Sequence, residues 1–413
     1  MEKRETEVFD VAVIGGGAAG LFAGCFLKKA GASFVILERT DEAGKKLLLT
    51  GHGRCNITNR KAAEDPRRYY HEAGSFIYRA LSRFTPEDTI RFIEDELHVP
   101  LKEEEDGRMF PVSDSSRTIR DALVAYIGSE NILTGFECTD IDEGFTVTSS
   151  SGRSVRCRKL IIAAGGRSYP GTGSDGSSYQ LAKKQGHTVT PLFPALTSVT
   201  VSEEDRELTS SLSGVSVNAG ASLYVDSKKK AGGTGDVLFT HKGLSGPVIY
   251  ELSREIPRDV VSRDGWIELD FTPGRTDEEV DAELLESMKA HTDSKLTTLA
   301  SQYVPSSVAS ALGKRAGVTD IYAGRCDRRS RKELIRALKH LGLKIAEPPP
   351  FETAYVTRGG VALRELRRES MESKIAGGLY LIGEYIDVDG ASGGYNLQAC
   401  ISEAFIAVDD IMS

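Results

Sequence analysis

The chain has 413 residues, enough for two or three domains, and its 40% hydrophobic and 27% charged content allows a sizeable core. Its net charge of −8 supplies no global positive field, which argues against nucleic acid or an anionic membrane as the main partner. No apolar run approaches the roughly 20 residues of a membrane span, the opening MEKRETEVFD is charged, and the cysteines show neither a CxxC pair nor metal spacing; a cytoplasmic protein with reduced thiols and no metal site is expected.

The first elements are the most informative. Residues 11–14 form a short apolar run that breaks into Gly15, which reads as a buried strand. Residues 18–30 are good helix formers with Leu21, Phe22, Cys25, Phe26 and Leu27 on the packing side, and Gly31 supplies the stop. A second buried strand, 34–37, ends at Glu38.

Each glycine of the turn has a task. Gly15 lets the chain leave the strand sharply, Gly17 keeps a side chain out of the way of a pyrophosphate, and Gly20 lets the helix approach the sheet. Ala18 and Ala19 open the helix, whose free N–H groups and dipole favour phosphate. Glu38, 18 residues beyond Gly20, is placed to bond a ribose hydroxyl. Dinucleotide binding is the leading interpretation; a glycine turn in an adenosyl-methionine enzyme and a purely structural βαβ unit are the alternatives.

Residues 42–59, EAGKKLLLTGHGRCNITN, crowd glycines with Lys45, Lys46, Arg54, Asn56 and Asn59. Such a loop either wraps a diphosphate and the rings beyond it or is a surface loop with solvated cations. Helices are expected after Thr85-Pro86 and over 113–127, and a metal in the acidic turn 103–106 is not, because four consecutive acids do not converge without a special loop. Residues 136–162 read as a β-meander. The strand KLIIAAGG, 159–166, leaves Ala164, Gly165 and Gly166 at a carboxyl end, the edge where doubly wound sheets bind ligands.

From about Pro191 short alternating segments, including 196–201, 215–217, 221–225 and 267–271, predict a small barrel or sandwich. Within it, 276–340 turns helical, and 351–356 reads as a return strand after the proline run 348–350. FTHKGLSGP, 239–247, has no core periodicity; His241 there is either an acid–base group or structural, and Lys242 could hold an acidic substrate. The runs 228–230 and 364–368 read as solvated cations. The strand 378–382 ends in Gly383 and Glu384, with Asp387 near, and Gly393, Gly394 and Tyr395 lead into a last helix over 396–411.

GRCNITN at 53–59, AAGGRSYPGTGSDG at 163–176, FTHKGLSGP at 239–247 and GEYIDVDGASGGYNLQA at 383–399 together resemble a bacterial flavoprotein family, the BaiN-like or aminoacetone-oxidase-like NAD(P)/FAD-dependent oxidoreductases. The likeness covers nearly the whole chain. It implies an α/β fold: a Rossmann-like FAD-binding domain interrupted by a β-barrel-like insertion that carries a nested helical subdomain. The implied boundaries are 1–190 and 358–413 for the FAD domain, 191–275 and 342–357 for the insertion, and 276–341 for the helices. Two residues depart from the family pattern: His52 and Glu403 stand where it usually has glycine.

The implied cofactor set is Gly15, Gly17, Ala18, Ala19, Gly20, Glu38, Arg39, Lys46, Gly53, Arg54, Asn56, Ala164, Gly165, Gly166, Gly383, Glu384, Asp387, Gly393, Gly394, Tyr395 and Asn396, with His241 and Tyr395 as candidates for proton transfer. The implied activity moves hydride between a small organic substrate or NAD(P)H and FAD, with NAD(P)H docking only transiently. A tRNA-modifying flavoprotein and a non-catalytic FAD-binding redox sensor are the alternatives. Oligomeric state is left open.

Overall fold

The computed structural model describes residues 8–257, 259–347 and 350–413; the charged opening heptad and Pro348–Pro349, both read above, lie outside them. The chain divides into two compact units. One comprises the chain up to Pro194 together with Phe351–Ser413, the other Ala195–Pro350.

The first unit is built on a seven-stranded sheet. Strand β1 (Val8–Ile14), helix α1 (Ala18–Lys29) and strand β2 (Phe34–Leu37) follow the apolar runs and glycines of the sequence, and β1 and β2 pair in parallel. Ser154–Ile162 lies parallel to β1 on its other side, and Leu379–Leu381 adds to it in parallel. The meander appears as Cys138–Ile141, Thr146–Ser149 and Ser154–Ile162 in antiparallel succession. Both faces of β1 and β2 are buried, which accounts for their unbroken apolar runs.

Register fixes where the site can be. Ile14 pairs with both Leu37 and Ile162, and Ile162 pairs with Leu381. Four parallel strands therefore end level, and the residues that follow them, Gly15, Glu38, Ala163 and Ile382, emerge along one edge.

The helix starts at Thr85 and Thr276 carry capping boxes, each satisfying two backbone donors that a bare helix end would leave open. The last helix runs Tyr395–Met412, beginning one residue before the expected 396.

The second unit has a six-stranded antiparallel sheet with the helices Asp277–Ala290, Leu296–Ala300, Ser306–Arg315 and Arg328–Lys339 inserted between the strands Gly265–Asp270 and Leu341–Lys344. Two expectations need correction here. The segments 215–217 and 221–225 are one strand, Ser216–Val225; the lysine run 228–230 is exposed, as expected of solvated cations, at the start of a thirteen-residue strand, Lys228–Thr240. Asp226 and Ser227 join them with φ of 51° and 60°, a two-residue hairpin loop in which both positions are left-handed. FTHKGLSGP is no open loop: it contains the strand Gly243–Ser245, and its proline starts the helix Pro247–Arg254. In the first unit, the return strand is Val356–Arg358, preceded by a single 3₁₀ turn at Phe351–Thr353.

Candidate functional site

The turn after β1 is constrained from three sides. Gly15 has φ +103°, and a Cβ there would stand 2.4 Å from the Ala163 carbonyl oxygen. A Cβ on Gly20 would stand 1.9 Å from the Gly15 carbonyl, so α1 reaches its seat only because position 20 is bare. A Cβ on Gly17 would meet nothing within 4 Å. Protein packing thus requires Gly15 and Gly20, whereas Gly17 borders open space at the N-terminus of a 12-residue helix.

Glu38 is buried, and its two carboxylate oxygens each accept one backbone N–H, from Gly16 at 2.7 Å and from Thr40 at 2.7 Å. A carboxylate oxygen can accept a second bond, so the side chain is held in place and still able to take a hydroxyl. Arg39 turns away from that edge and bonds Gly173 O, Asp175 and Glu137 at 3.1, 2.8 and 3.0 Å, tying the end of β2 to the 173–177 loop.

A second cluster forms around Gly166. A Cβ there would lie 2.4 Å from Thr357 Oγ1 and 2.6 Å from Glu384 Oε1. Thr357 Oγ1 accepts the N–H groups of Arg167 and Ser168 at 2.8 and 3.0 Å, and Glu384 Oε1 accepts the Thr357 N–H at 2.9 Å. The other Glu384 oxygen is paired with Lys46. Gly165, at φ +72°, packs against Ser174, whose buried hydroxyl has no partner among the described residues. Ala164 joins this stretch to the strand. Gly383 (φ +72°) packs against Ala19: a Cβ on it would come 2.7 Å from the Ala19 methyl.

The last helix is met by the loop around Asn56. A Cβ on Gly394 would lie 2.6 Å from the Thr58 carbonyl and 2.9 Å from Asn56 Oδ1, and Asn59 donates to the Gly393 carbonyl at 3.0 Å. Asn56 Oδ1 is buried and has no partner among the described residues. Unmet acceptors of that kind mark places where a donor is expected to arrive.

Several other expected residues are held by the chain itself. Arg54 pairs with Glu104 and Asp114 and lies 4.3 Å over the Phe110 ring, while Gly53 (φ +84°) ends the preceding turn. The Asn396 amide bonds Gly390 N and O at 2.7 and 2.9 Å, clamping the loop before the helix. Asp387 accepts the Thr190 hydroxyl at 2.8 Å. The Tyr395 ring stacks on Tyr69 at 4.1 Å. His241 is exposed at the turn between Lys228–Thr240 and Gly243–Ser245, in the second unit.

Sequence reasoning missed an aromatic corner beside Gly166. Tyr169, three residues past that glycine, packs edge-on to Tyr355, two residues before Thr357, with ring centroids 5.6 Å apart. His52 Nε2 lies 3.5 Å from the Tyr355 hydroxyl. Tyr169 and His52 both hold left-handed backbone, at φ 54° and 56°. Non-glycine residues kept in that region mark sites where position matters more than local stability.

Glu403 was noted only as a departure from glycine. It is 1% exposed, its Oε2 accepts the Gly383 N–H, and its Oε1 has no partner among the described residues. Burial pushes this carboxyl up to about 8.

The residues fit FAD. The open cradle at Gly17 suits the pyrophosphate, Glu38 suits the ribose, and the unpartnered Asn56 Oδ1 beside the last helix suits a flavin donor. The comparisons with known proteins agree. Residues 9–410 match the model of the HI0933-like protein Rossmann domain. The chain is 30% identical over 98% of its length to the ribosomal RNA dihydrouridine synthase of Escherichia coli, covering 99% of that protein. It is 29% identical over 96% of its length to the 3-dehydro-bile acid delta(4,6)-reductase of Clostridium scindens, covering 97% of it. The solved 3-ketosteroid delta1-dehydrogenase of Sterolibacterium denitrificans shares the fold, with a TM-score of 0.52, 12% identity and coverage of 98% and 100% of the two chains. The chain is therefore a member of the HI0933-like Rossmann family, and it is an FAD-dependent oxidoreductase.

Proposed function

We propose that the protein reduces a carbon–carbon double bond conjugated to a carbonyl group. The observation that carries this reading is the pairing of the Tyr355 hydroxyl with His52 beside the Gly166 cluster. A reduction of this kind needs a hydride at the β-carbon and a proton at the α-carbon, and the corner offers a proton source. Hydrogen bonds at 3.5 Å are long, and catalytic ones commonly tighten only when substrate is bound.

The names of the relatives support the same bond type. Dihydrouridine is uridine reduced at a ring double bond conjugated to a carbonyl, and a delta(4,6) bond pair in a 3-oxo ring system is conjugated likewise. Gly15, Gly17, Gly20 and Glu38 would hold the adenosine diphosphate half of FAD, and Lys46, Asn56, Gly166, Glu384 and Gly394 the ribityl and ring end. When bound, the flavin supplies the hydride, with NAD(P)H as the reductant that recharges it. Tyr355 O–H gives its proton to the substrate α-carbon and regains one from His52, which exchanges with water. Tyr169 holds the Tyr355 ring at the angle that keeps its hydroxyl turned to His52.

The test is anaerobic. Holoprotein reduced by NADPH or NADH is mixed with 2-cyclohexenone, and return of the oxidised flavin band together with cyclohexanone is the expected result. Failure to reoxidise with cyclohexenone or with uridine would remove the reading.

A further inference from the structure

Two residues of the last helix, Cys400 and Glu403, lie against the turn that follows Leu379–Leu381. A Cβ on Gly383 would stand 2.7 Å from the Ala19 methyl and 3.6 Å from Cys400 Sγ, and the Gly383 N–H is given to Glu403 Oε2. Gly383 is therefore where the start of α1, the turn and the last helix meet. The next residue, Glu384, carries the ion pair with Lys46.

Glu403 is unlike the other acids of this edge. Glu38 accepts a backbone N–H at each oxygen, and Glu384 has the Thr357 N–H at one oxygen and Lys46 at the other. Glu403 has one N–H at Oε2 and, among the described residues, nothing at Oε1.

No counter-charge stands beside it. On its own helix the near titratable group is Cys400, whose thiol burial pushes up and keeps neutral. Helix α1 brings buried Ala19, Phe22, Ala23 and Phe26; its titratable groups are Cys25, bonded to the Leu123 carbonyl, and Lys28 and Lys29 in the last turn. The helix Gly74–Arg83 brings exposed Tyr78 and Arg79, and Arg83, which pairs with Asp409. In Pro86–Arg91, Glu87 pairs with Arg60 and Asp88 with Arg91. Tyr380 bonds Asp410 near the carboxyl end of the last helix, and the buried Tyr385 hydroxyl bonds the Ser178 carbonyl.

An ionised carboxylate with one donor and no counter-charge is costly to bury, which is why this acid is pushed up to about 8. Oε2 already accepts, so the proton belongs on Oε1, where the buried O–H is left to give to an arriving acceptor.

We propose that Glu403 is a positioning residue for FAD that works as the neutral acid, so that FAD binding and proton uptake at this carboxyl go together. The FAD pyrophosphate is doubly negative. An ionised Glu403 held on Gly383 repels it, and the neutral acid does not. Linkage is reciprocal: the proton that favours FAD is itself favoured by FAD. The proposal rests on the reading that places FAD at the start of α1 and at the 383–384 turn.

The experiment titrates FAD into full-length protein stripped of cofactor, from about pH 6.5 to 9.5, by flavin fluorescence and by calorimetry in two buffers of different ionisation heat. Wild-type affinity is expected to be level up to about pH 8 and to weaken about tenfold above it, with uptake of about half a proton per FAD near pH 8.5, the amount that one site with a tenfold effect requires. Release of FAD from diluted holoprotein is expected to follow the same slope. Glu403→Gln stays neutral and keeps an acceptor for Gly383; its affinity should not change with pH and it should take up no proton. Glu403→Leu lacks the acceptor and is expected to bind more weakly than Glu403→Gln at every pH, with the same level profile.

A level wild-type profile without proton uptake would overturn the proposal, as would a slope and an uptake that persist in Glu403→Gln. A persisting slope there, with weaker FAD binding by Gly17→Ala and Glu384→Gln, would defeat this proposal alone. Unaltered affinity in both of those variants would defeat the placement of FAD on which it rests.

Discussion

Lys46 and Glu384, 338 positions apart in the chain, form an ion pair in which both side chains are mostly buried. The second Glu384 oxygen holds the Thr357 N–H, so one carboxylate ties together the loop after β2, the return strand and the segment after Leu379–Leu381. Glu384→Gln keeps the volume and the Thr357 bond and removes the charge opposite Lys46. A partly buried pair broken on one side is expected to cost about 1–2 kcal/mol of stability, between the values for surface and buried pairs. FAD retention, read as flavin absorbance per protein after dialysis, is expected to fall about tenfold in affinity; full retention would make the pair purely structural.

Substitutions at Gly17 and Gly20 are expected to separate cofactor binding from packing. Gly20→Ala puts a methyl 1.9 Å from the Gly15 carbonyl and is expected to destabilise the protein by about 1–3 kcal/mol, seen as a lower melting temperature with or without FAD. Gly17→Ala meets no protein atom within 4 Å, so the protein stripped of FAD should melt as the wild type does, while titration with FAD shows weaker binding. Unaltered FAD affinity in Gly17→Ala would move the pyrophosphate elsewhere.

Glu403 makes stability depend on pH in a defined direction. Its folded value, pushed up to about 8 by burial, lies above the ordinary carboxylate value of 4.5, so between the two the folded chain holds a proton that the unfolded chain has released. Below 4.5 the group contributes nothing; from there to about 8 stability falls as pH rises, by about 1.4 kcal/mol per pH unit at most, and above 8 the loss is complete. Glu403→Gln imitates the protonated form and should flatten this slope in urea melts taken from pH 5 to 9. A slope that persists in the variant would assign it to other groups.

Tyr355→Phe removes the hydroxyl facing His52 and keeps the ring. If the hydroxyl supplies the proton, reoxidation of reduced holoprotein by cyclohexenone should slow by about a hundredfold or more, with FAD affinity unchanged. An equal rate in Tyr355→Phe and His52→Gln would dismiss the pair.

The β1–α1–β2 unit was legible because its signals are local: an apolar run, a glycine break and a helical period within 30 residues. Gly15, Gly20 and Glu38 share that advantage. The strand Lys228–Thr240 was not legible, since three lysines and three glycines carry little strand preference and its pairing is set by the Asp226–Ser227 hairpin and by Ser216–Val225. Contacts such as His52 with Tyr355, or Gly166 with Thr357 and Glu384, join residues hundreds of positions apart, and sequence spacing says nothing of them.

The first unit is interrupted, leaving at Pro194 and resuming at Phe351. A ribosome making this chain releases β1, α1, β2 and Ser154–Ile162 long before Leu379–Leu381, Glu384 and the final helix exist. Lys46 then has no counter-charge, Gly166 has no Thr357 against it, and Asn56 has no helix end beside it. Because chains fold as they emerge, amino-terminal part first, a nascent fragment ending before residue 351 can present the glycine turn but not the rest of the cradle. If these residues hold the cofactor as proposed, its loading is expected late in biogenesis, and flavin content would then report that synthesis ran to completion.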